Sequence, residues 1–238
     1  MYFWKNINQP VWNNELSYEK RKELWLKCNL YIPAIKDIKH INLENLDKYL
    51  KIWNDIVFEE VLNNKLYSQK WLKYYLVGEY ITNKVCIFDN HNLAFYFIWK
   101  YFLETWKKLD LIHIDQHSDM KEPYFIPQKL NLLEEIEEYT FTWLNVWNYL
   151  IPLQKLWFIG NIKQCRTEYT LMNLTEKEVE NKILNIDLDF WVKEMWSSYK
   201  SLEKVKQFIL KSPLVLIATS PYFMNQKEAL KIIYNLFD

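Results

Sequence analysis

The sequence predicts an α/β domain built on a mainly parallel sheet. Three observations carry this: short apolar runs of strand type, amphipathic stretches at helical spacing between them, and acidic or polar residues that close the runs. Aspartate just past an apolar strand marks the crevice outside the carboxyl ends of parallel strands, where α/β enzymes keep their chemistry.

Apolar residues recur at helical spacing from Tyr18 to about Asn29 and from Leu43 to Leu62, with Leu43, Leu46, Leu50, Trp53 and Val57 on one stripe. Residues 1–66 are therefore expected to form a mostly helical part packed on a single domain spanning residues 1–238. KVCIFDN, from Lys84 to Asn90, reads as the first buried strand. Asp89 and Asn90 stop it as N-cap residues for a helix from about Asn92 to Lys108. LDLIHI is the next strand and runs into DQHSD, Asp115 to Asp119. Two prolines make Glu122 to Gln128 a loop.

Further on, Thr140 to Leu150 reads as helix, Lys155 to Gly160 and Lys182 to Asp187 as strands, and Glu203 to Leu210 as helix. PLVLIA, Pro213 to Ala218, is a further strand ending in TSPYF, and Lys227 to Phe237 suits a closing helix. Periodicity leaves residues 66–82 and 161–181 open between strand and helix.

Composition removes several function classes. Thirty basic residues balance thirty acidic ones, so there is no electrostatic reason to bind nucleic acid or an anionic membrane surface, and neither partner is expected. Cys28, Cys86 and Cys165 are far apart and form no CxxC, which suits buried thiols in a reducing compartment. With no signal-type start and no stretch of about twenty apolar residues, a cytoplasmic protein is expected. Only Gly78 and Gly160 occur, so neither a phosphate-binding GxxxxGK[ST] loop nor a dinucleotide GxGxxG turn can be built. Twelve tryptophans either line a groove or fill a core short of small residues.

The acidic segments carry the chemistry. Asp115 and His117 are two apart, as are Asp187 and Asp189, so on extended backbone each pair projects to one side, and Asp119 can swing in as the chain turns. His91, at the start of the helix after KVCIFDN, is a further candidate on the same sheet edge. Mixed imidazole and carboxylate groups are what a hydrolytic pair of divalent ions needs, and four aspartates would balance two dications. Without cations the crowded carboxylates must take up protons or pair with bases such as Lys121 or Lys193. Oxygen and nitrogen ligands without thiolate suit Mn²⁺ best, with Zn, Fe or Co possible.

IHIDQHSDM together with LNIDLDFW resembles the ureohydrolase and deacetylase superfamily. Its arginase-like members bind two manganese ions through an Asp-x-His-x-Asp loop and an Asp-x-Asp loop. FDNHN, about two dozen residues before DxHxD, is similar to the corresponding stretch of the branch that includes the peptide arginases, which hydrolyse arginine side chains in a peptide to ornithine and urea. The resemblance covers residues 84–221. It implies a three-layer α/β/α fold with metals at the carboxyl edge of the strands. It also implies a first shell of His91, Asp115, His117, Asp119, Asp187 and Asp189, with Asp115 and Asp187 bridging, and an arginine-containing peptide as substrate.

The departures from the family are specific. No histidine follows His117, so the downstream shuttle histidine of arginases is missing, and VLIATSPYF lacks the acid that holds a free guanidinium. Free arginine is therefore not the expected substrate. His113, two residues before Asp115, is either a shuttle or second-layer partner, or a hydrogen-bonded core histidine. Glu122 and Tyr124 are the alternative proton donors. Thr219 and Ser220 read as substrate-contacting hydroxyls or as turn residues, and Trp191, with Phe190, as a pocket wall or core. His40 reads as surface, and Asp89 as a helix cap. Two rival functions remain: a single-Zn deacylase of the same superfamily, and a metal-stabilised binding or regulatory protein without turnover.

Overall fold

The computed structural model describes residues 5–7, 30–62, 65–192 and 199–238. The expected helix at Tyr18 to Asn29, the thiol Cys28 and the base Lys193 lie outside them. The described strands are β1 (Lys5–Ile7), β2 (Leu30–Ile32), β3 (Ile35–His40), β4 (Ile52–Leu62), β5 (Lys65–Leu72), β6 (Tyr75–Tyr80), β7 (Asn83–Phe88), β8 (Leu109–Ile114), β9 (Ile159–Cys165), β10 (Ile183–Asp187) and β11 (Leu214–Ala218). The described α-helices are α1 (Leu43–Tyr49), α2 (Leu93–Thr105), α3 (Leu133–Glu138), α4 (Leu150–Lys155), α5 (Glu168–Asn173), α6 (Glu176–Val179), α7 (Tyr199–Ile209) and α8 (Gln226–Leu236).

Seven strands form one sheet in the order β3-β6-β7-β11-β10-β8-β9. Its five strands from β7 to β9 run parallel, and β6 turns back antiparallel to β7 with β3 parallel to β6. The central strands β10 and β11 are buried at every residue, as the apolar runs ILNID and LVLIA require of a sheet covered on both faces.

Alternation along the strands builds two cores. Cys86, Phe88, Leu111, Leu214 and Leu216 face α2, α4 and the π-helical turn Tyr139–Trp143, whereas Val85, Ile87, Ile112, Val215 and Ile217 face α7 and α8. The result is the expected three-layer α/β/α architecture. No helix among the described residues is long and apolar enough to cross a membrane.

The part before β6 differs from the expectation of a mostly helical segment. Asn42 caps α1 by accepting from Asn45 N, but the helix stops at Tyr49, and Ile52–Leu62 is a strand paired antiparallel with Lys65–Leu72. The helical stripe extended past Leu50 by coincidence: IWNDIVFEEVL is rich in β-branched and aromatic residues, and its partner strand decides between the two periodicities. Leu46 and Leu50 of the stripe are core residues, while Leu43 and Trp53 are exposed.

Two other elements shift. The helix expected at Thr140 to Leu150 is broken, because Asn148 Oδ1 accepts from Asn145 N and Asn145 Oδ1 from Trp147 N, turning the chain out of helical geometry. Lys155 ends α4, and the following strand starts at Ile159. The open stretches resolve as β5 and β6, then the end of β9 with α5 and α6.

Candidate metal centre

The carboxyl edge of the parallel strands gathers the chemistry. β7 delivers Asp89 to His91, β8 delivers Asp115 to Asp119, β10 ends on Asp187 and leads into the short 3-10 turn Leu188–Trp191, and β11 delivers Thr219 and Ser220. All six expected ligands come together there. His91 Nδ1 lies 3.1 Å from Asp115 Oδ2, 3.1 Å from Asp119 Oδ2 and 3.1 Å from Asp187 Oδ2. Beside it, His117 Nδ1 lies 3.1 Å from Asp189 Oδ2 and 3.4 Å from Asp115 Oδ1.

These spacings fit ion coordination. Ligand atoms about 2.1 Å from a dication and at right angles to one another stand about 3 Å apart. Asp115 offers one oxygen to each cluster, the arrangement of a carboxylate bridging two ions. The donor set also leaves orphans: His91 Nδ1, Asp115 Oδ2, Asp119 Oδ2 and both Asp189 carboxylate oxygens are buried with no hydrogen-bond partner. Buried polar atoms without partners cost roughly 1–3 kcal/mol each, so a convergent set of them fits an ion. Among the described residues no lysine or arginine pairs with any of the four aspartates, which removes Lys121 as their counterion.

Without a cation, protons take its place. Burial disfavours a charged His91, but Asp187, Asp115 and Asp119 outweigh it and raise the imidazole well above its ordinary value. His117 is raised to about 10, against burial, by Asp115 and Asp189. Burial, then the Asp115 charge, pushes Asp119 up to about 6, and burial with the Asp187 charge raises Asp189 well above the carboxylate range. Asp115 goes the other way: three histidines hold it well below that range despite burial.

Backbone geometry serves the cage. Asp119 and Ser220 occupy the left-handed region at φ 51 and φ 43, unusual for residues with a Cβ. The turn at Asp119 swings its carboxylate toward His91, as the spacing of DQHSD predicts. The loop is tied down from β9 and its end, where Gln164 donates to Ser118 O and Arg166 to Gln116 O.

The lesser candidates fall differently. Ser220 Oγ donates to Asp187 Oδ2 at 2.6 Å, and Thr219 Oγ1 donates to Asp89 Oδ1 at 2.7 Å, so both hydroxyls orient carboxylates instead of facing substrate. Asp89 also accepts from Leu72 N and caps no helix; Asn92 stands at the start of α2. Trp191 donates from Nε1 to Ser201 Oγ and packs with the α7–α8 core, away from a pocket wall.

Glu122 pairs with Lys155 at the surface, and Tyr124 is 96% exposed, so neither reaches the cage. The loop that carries them runs outward past Pro123, a direction residue spacing does not encode. His113 is fully buried, with Nε2 3.3 Å from Asp115 Oδ2, and His40 is exposed as expected.

Four residues were missed by the sequence reading. Asn185 and Tyr149 hydrogen-bond behind the histidines, while the rings of Trp147 and Phe223 lie 4.6 Å and 5.0 Å from the ring of His117, whose side chain is 23% exposed. Trp147 Nε1 is buried without an acceptor. Asn185 had a signal, a polar residue inside an apolar strand two positions before Asp187, matching His113 two before Asp115.

The fold and this cage define an α/β protein with a candidate two-ion centre at the carboxyl edge of its sheet. A crystal structure described as that of a hypothetical agmatinase from Burkholderia thailandensis is similar at a TM-score of 0.45 and 13% identity. The match covers 64% of this chain and 56% of that one, so this chain spans little more than half of that protein's length. No family model and no curated protein matches the chain.

Proposed function

We propose that this chain is a binuclear manganese hydrolase that cleaves the guanidinium of peptide-borne arginine side chains to ornithine and urea. The observation that carries the reading is the shared Asp115, whose two oxygens serve two adjacent clusters, one with His91 and one with His117. His91, Asp115, Asp119 and Asp187 would hold one ion, and Asp115, His117 and Asp189 the other. When bound, the ions supply a nucleophilic hydroxide near neutral pH and an electrophile for developing charge.

The chain's own residues do the rest. Four carboxylates match the charge of two dications. Ser220 fixes one oxygen of Asp187, and the backbone N–H groups of His117 and Asp189 fix oxygens of Asp115 and Asp187. Beside His117, Trp147 and Phe223 offer aromatic surface of the kind that stacks on a planar guanidinium. Hydrolysis forms a bond from the water oxygen to Cζ and breaks the Cζ–Nε bond of arginine. Both protons given up by water end on the departing amine, which leaves as the ammonium of ornithine while Cζ and its two NH2 groups leave as urea.

The absent shuttle histidine and absent guanidinium-holding acid favour a peptide over free arginine. The two clusters favour an ion pair over the single-Zn deacylase alternative. One observation favours a second reading, a metal-stabilised binding protein: Glu122 and Tyr124 face solvent and His113 lies behind the ligands, so none of the expected proton donors stands at the mouth. A urea assay on Mn²⁺-loaded protein with arginine-containing peptides, free arginine and agmatine separates them. Urea from peptides, abolished by Asp115→Ala, is expected; two bound ions with no urea from any guanidine would leave only the binding protein.

A further inference from the structure

Asn185 lies on β10, is fully buried, and is paired in register with His113 on β8. His91 Nε2 lies 3.1 Å from Asn185 Oδ1, His113 Nδ1 lies 3.1 Å from Asn185 Nδ2, and the same Nδ2 donates to the Tyr149 hydroxyl at 2.8 Å. An amide oxygen only accepts and an amide nitrogen only donates. His91 Nε2 therefore carries a proton, and His113 Nδ1 carries none.

A neutral imidazole has one N–H, so the two rings turn opposite groups toward the cage. His91 turns Nδ1 toward three carboxylate oxygens, each 3.1 Å away, a position that a proton fills in the metal-free protein and that offers the Nδ1 lone pair when an ion displaces it. His113 presents Nε2–H, 3.3 Å from Asp115 Oδ2. Distance alone admits His113 as a ligand alongside His91 and Asp115. The hydrogen bond at its other nitrogen removes it.

We propose that Asn185 is a positioning residue that gives the two histidines separate duties. His91 binds an ion through Nδ1. His113 binds none, and instead turns its Nε2–H toward Asp115 Oδ2, 3.3 Å away, on the side of that carboxylate that faces His91. The first duty rests on the two-ion reading above, whereas the second follows from the hydrogen bond of Asn185 to His113 Nδ1.

Nitrogen-15 NMR of histidine-labelled protein, metal-free and loaded with Zn²⁺ as a diamagnetic probe, tests both, with zinc content measured on the same sample. The expected result is His113 in the Nε2–H form in both samples, with the coordination shift in the loaded one at His91 Nδ1 and not at His113 Nε2. Asn185→Asp replaces the donor with an acceptor, so it inverts His113 to Nδ1–H and leaves His91 as it was. Asn185→Leu weakens Zn²⁺ binding by roughly 10–100-fold.

Zinc coordination at His113 Nε2, Nδ1–H on His113 in the wild type, or an unchanged His113 in Asn185→Asp overturns the proposal. A chain that takes up no Zn²⁺ overturns the two-ion reading and His91's duty with it. The His113 form in the metal-free sample then still separates that failure from an error about Asn185. If the variants do not fold, the wild-type spectra decide.

Discussion

Ser220 holds Asp187 by a 2.6 Å hydrogen bond from a left-handed backbone position, φ 43, where a Cβ is costly. If Asp187 holds an ion, stability is given up there for the orientation of its carboxylate. Ser220→Gly should therefore raise the melting temperature of the metal-free protein or leave it unchanged, because strain of roughly 1 kcal/mol is released. The same variant should bind Mn²⁺ roughly 10-fold more weakly. Calorimetry and a metal-buffered titration read the two effects, and a fall in both would mean that Ser220 is structural only.

The cage predicts opposite pH responses with and without metal. His117 is raised from its ordinary 6.5 to about 10, so its contribution to stability is complete below pH 6.5 and is lost as pH rises toward 10. Asp119, raised from 3.8 to about 6, adds a loss of stability as pH climbs through that lower window, because the folded state there holds the extra proton. With EDTA, the melting temperature should fall between pH 6.5 and 10. With Mn²⁺ in excess the loss should vanish or reverse over pH 5 to 8, since binding requires these groups deprotonated. Parallel melting curves in the two conditions would contradict the assignment.

Asp89 is a second buried carboxyl, pushed up to about 7 by burial, against the lowering effect of its bonds from Thr219 and Leu72. A raised carboxyl destabilises the fold once pH passes from 3.8 through about 7. Asp89→Asn keeps an acceptor for Leu72 N and a group for Thr219, so it should stabilise the protein at pH 8.5 and change little at pH 5. Thermal melts at the two pH values check this.

Among the described residues, Trp147 is the aromatic group nearest the partly exposed candidate ligand His117. Trp147→Ala should raise KM for an arginine-containing peptide about 3–30-fold, the range a cation–π contact of about 0.5–2 kcal/mol spans, with a smaller effect on kcat. Trp157→Ala provides the control. That residue is exposed, with Lys108 over its ring, at the opposite edge of the sheet.

What the sequence revealed follows from the range of its signals. The cluster of imidazoles and carboxylates was legible because DxHxD and DxD are local patterns on strand ends, and the central strands because their runs are apolar throughout. Ile52 to Leu62 was misread because a helical stripe and a β-rich composition coincide there, and only pairing with Lys65–Leu72 chooses between them. Glu122 and Tyr124 failed because closeness in sequence says nothing of the direction a proline-bearing loop takes. Thr219 and Ser220 stand at the end of β11, but their partners Asp89 and Asp187 arrive from other strands, at separations that no local pattern reports. Trp147 and Phe223 meet His117 for the same reason.

The central claim is tested most directly by counting ions. Protein loaded with Mn²⁺, freed of excess metal and analysed by mass spectrometry should carry two Mn²⁺ per chain, and Asp115→Ala, which removes the oxygens shared by both clusters, should carry none. A wild-type chain that holds fewer than two, or an Asp115→Ala chain that still holds both, would contradict the account.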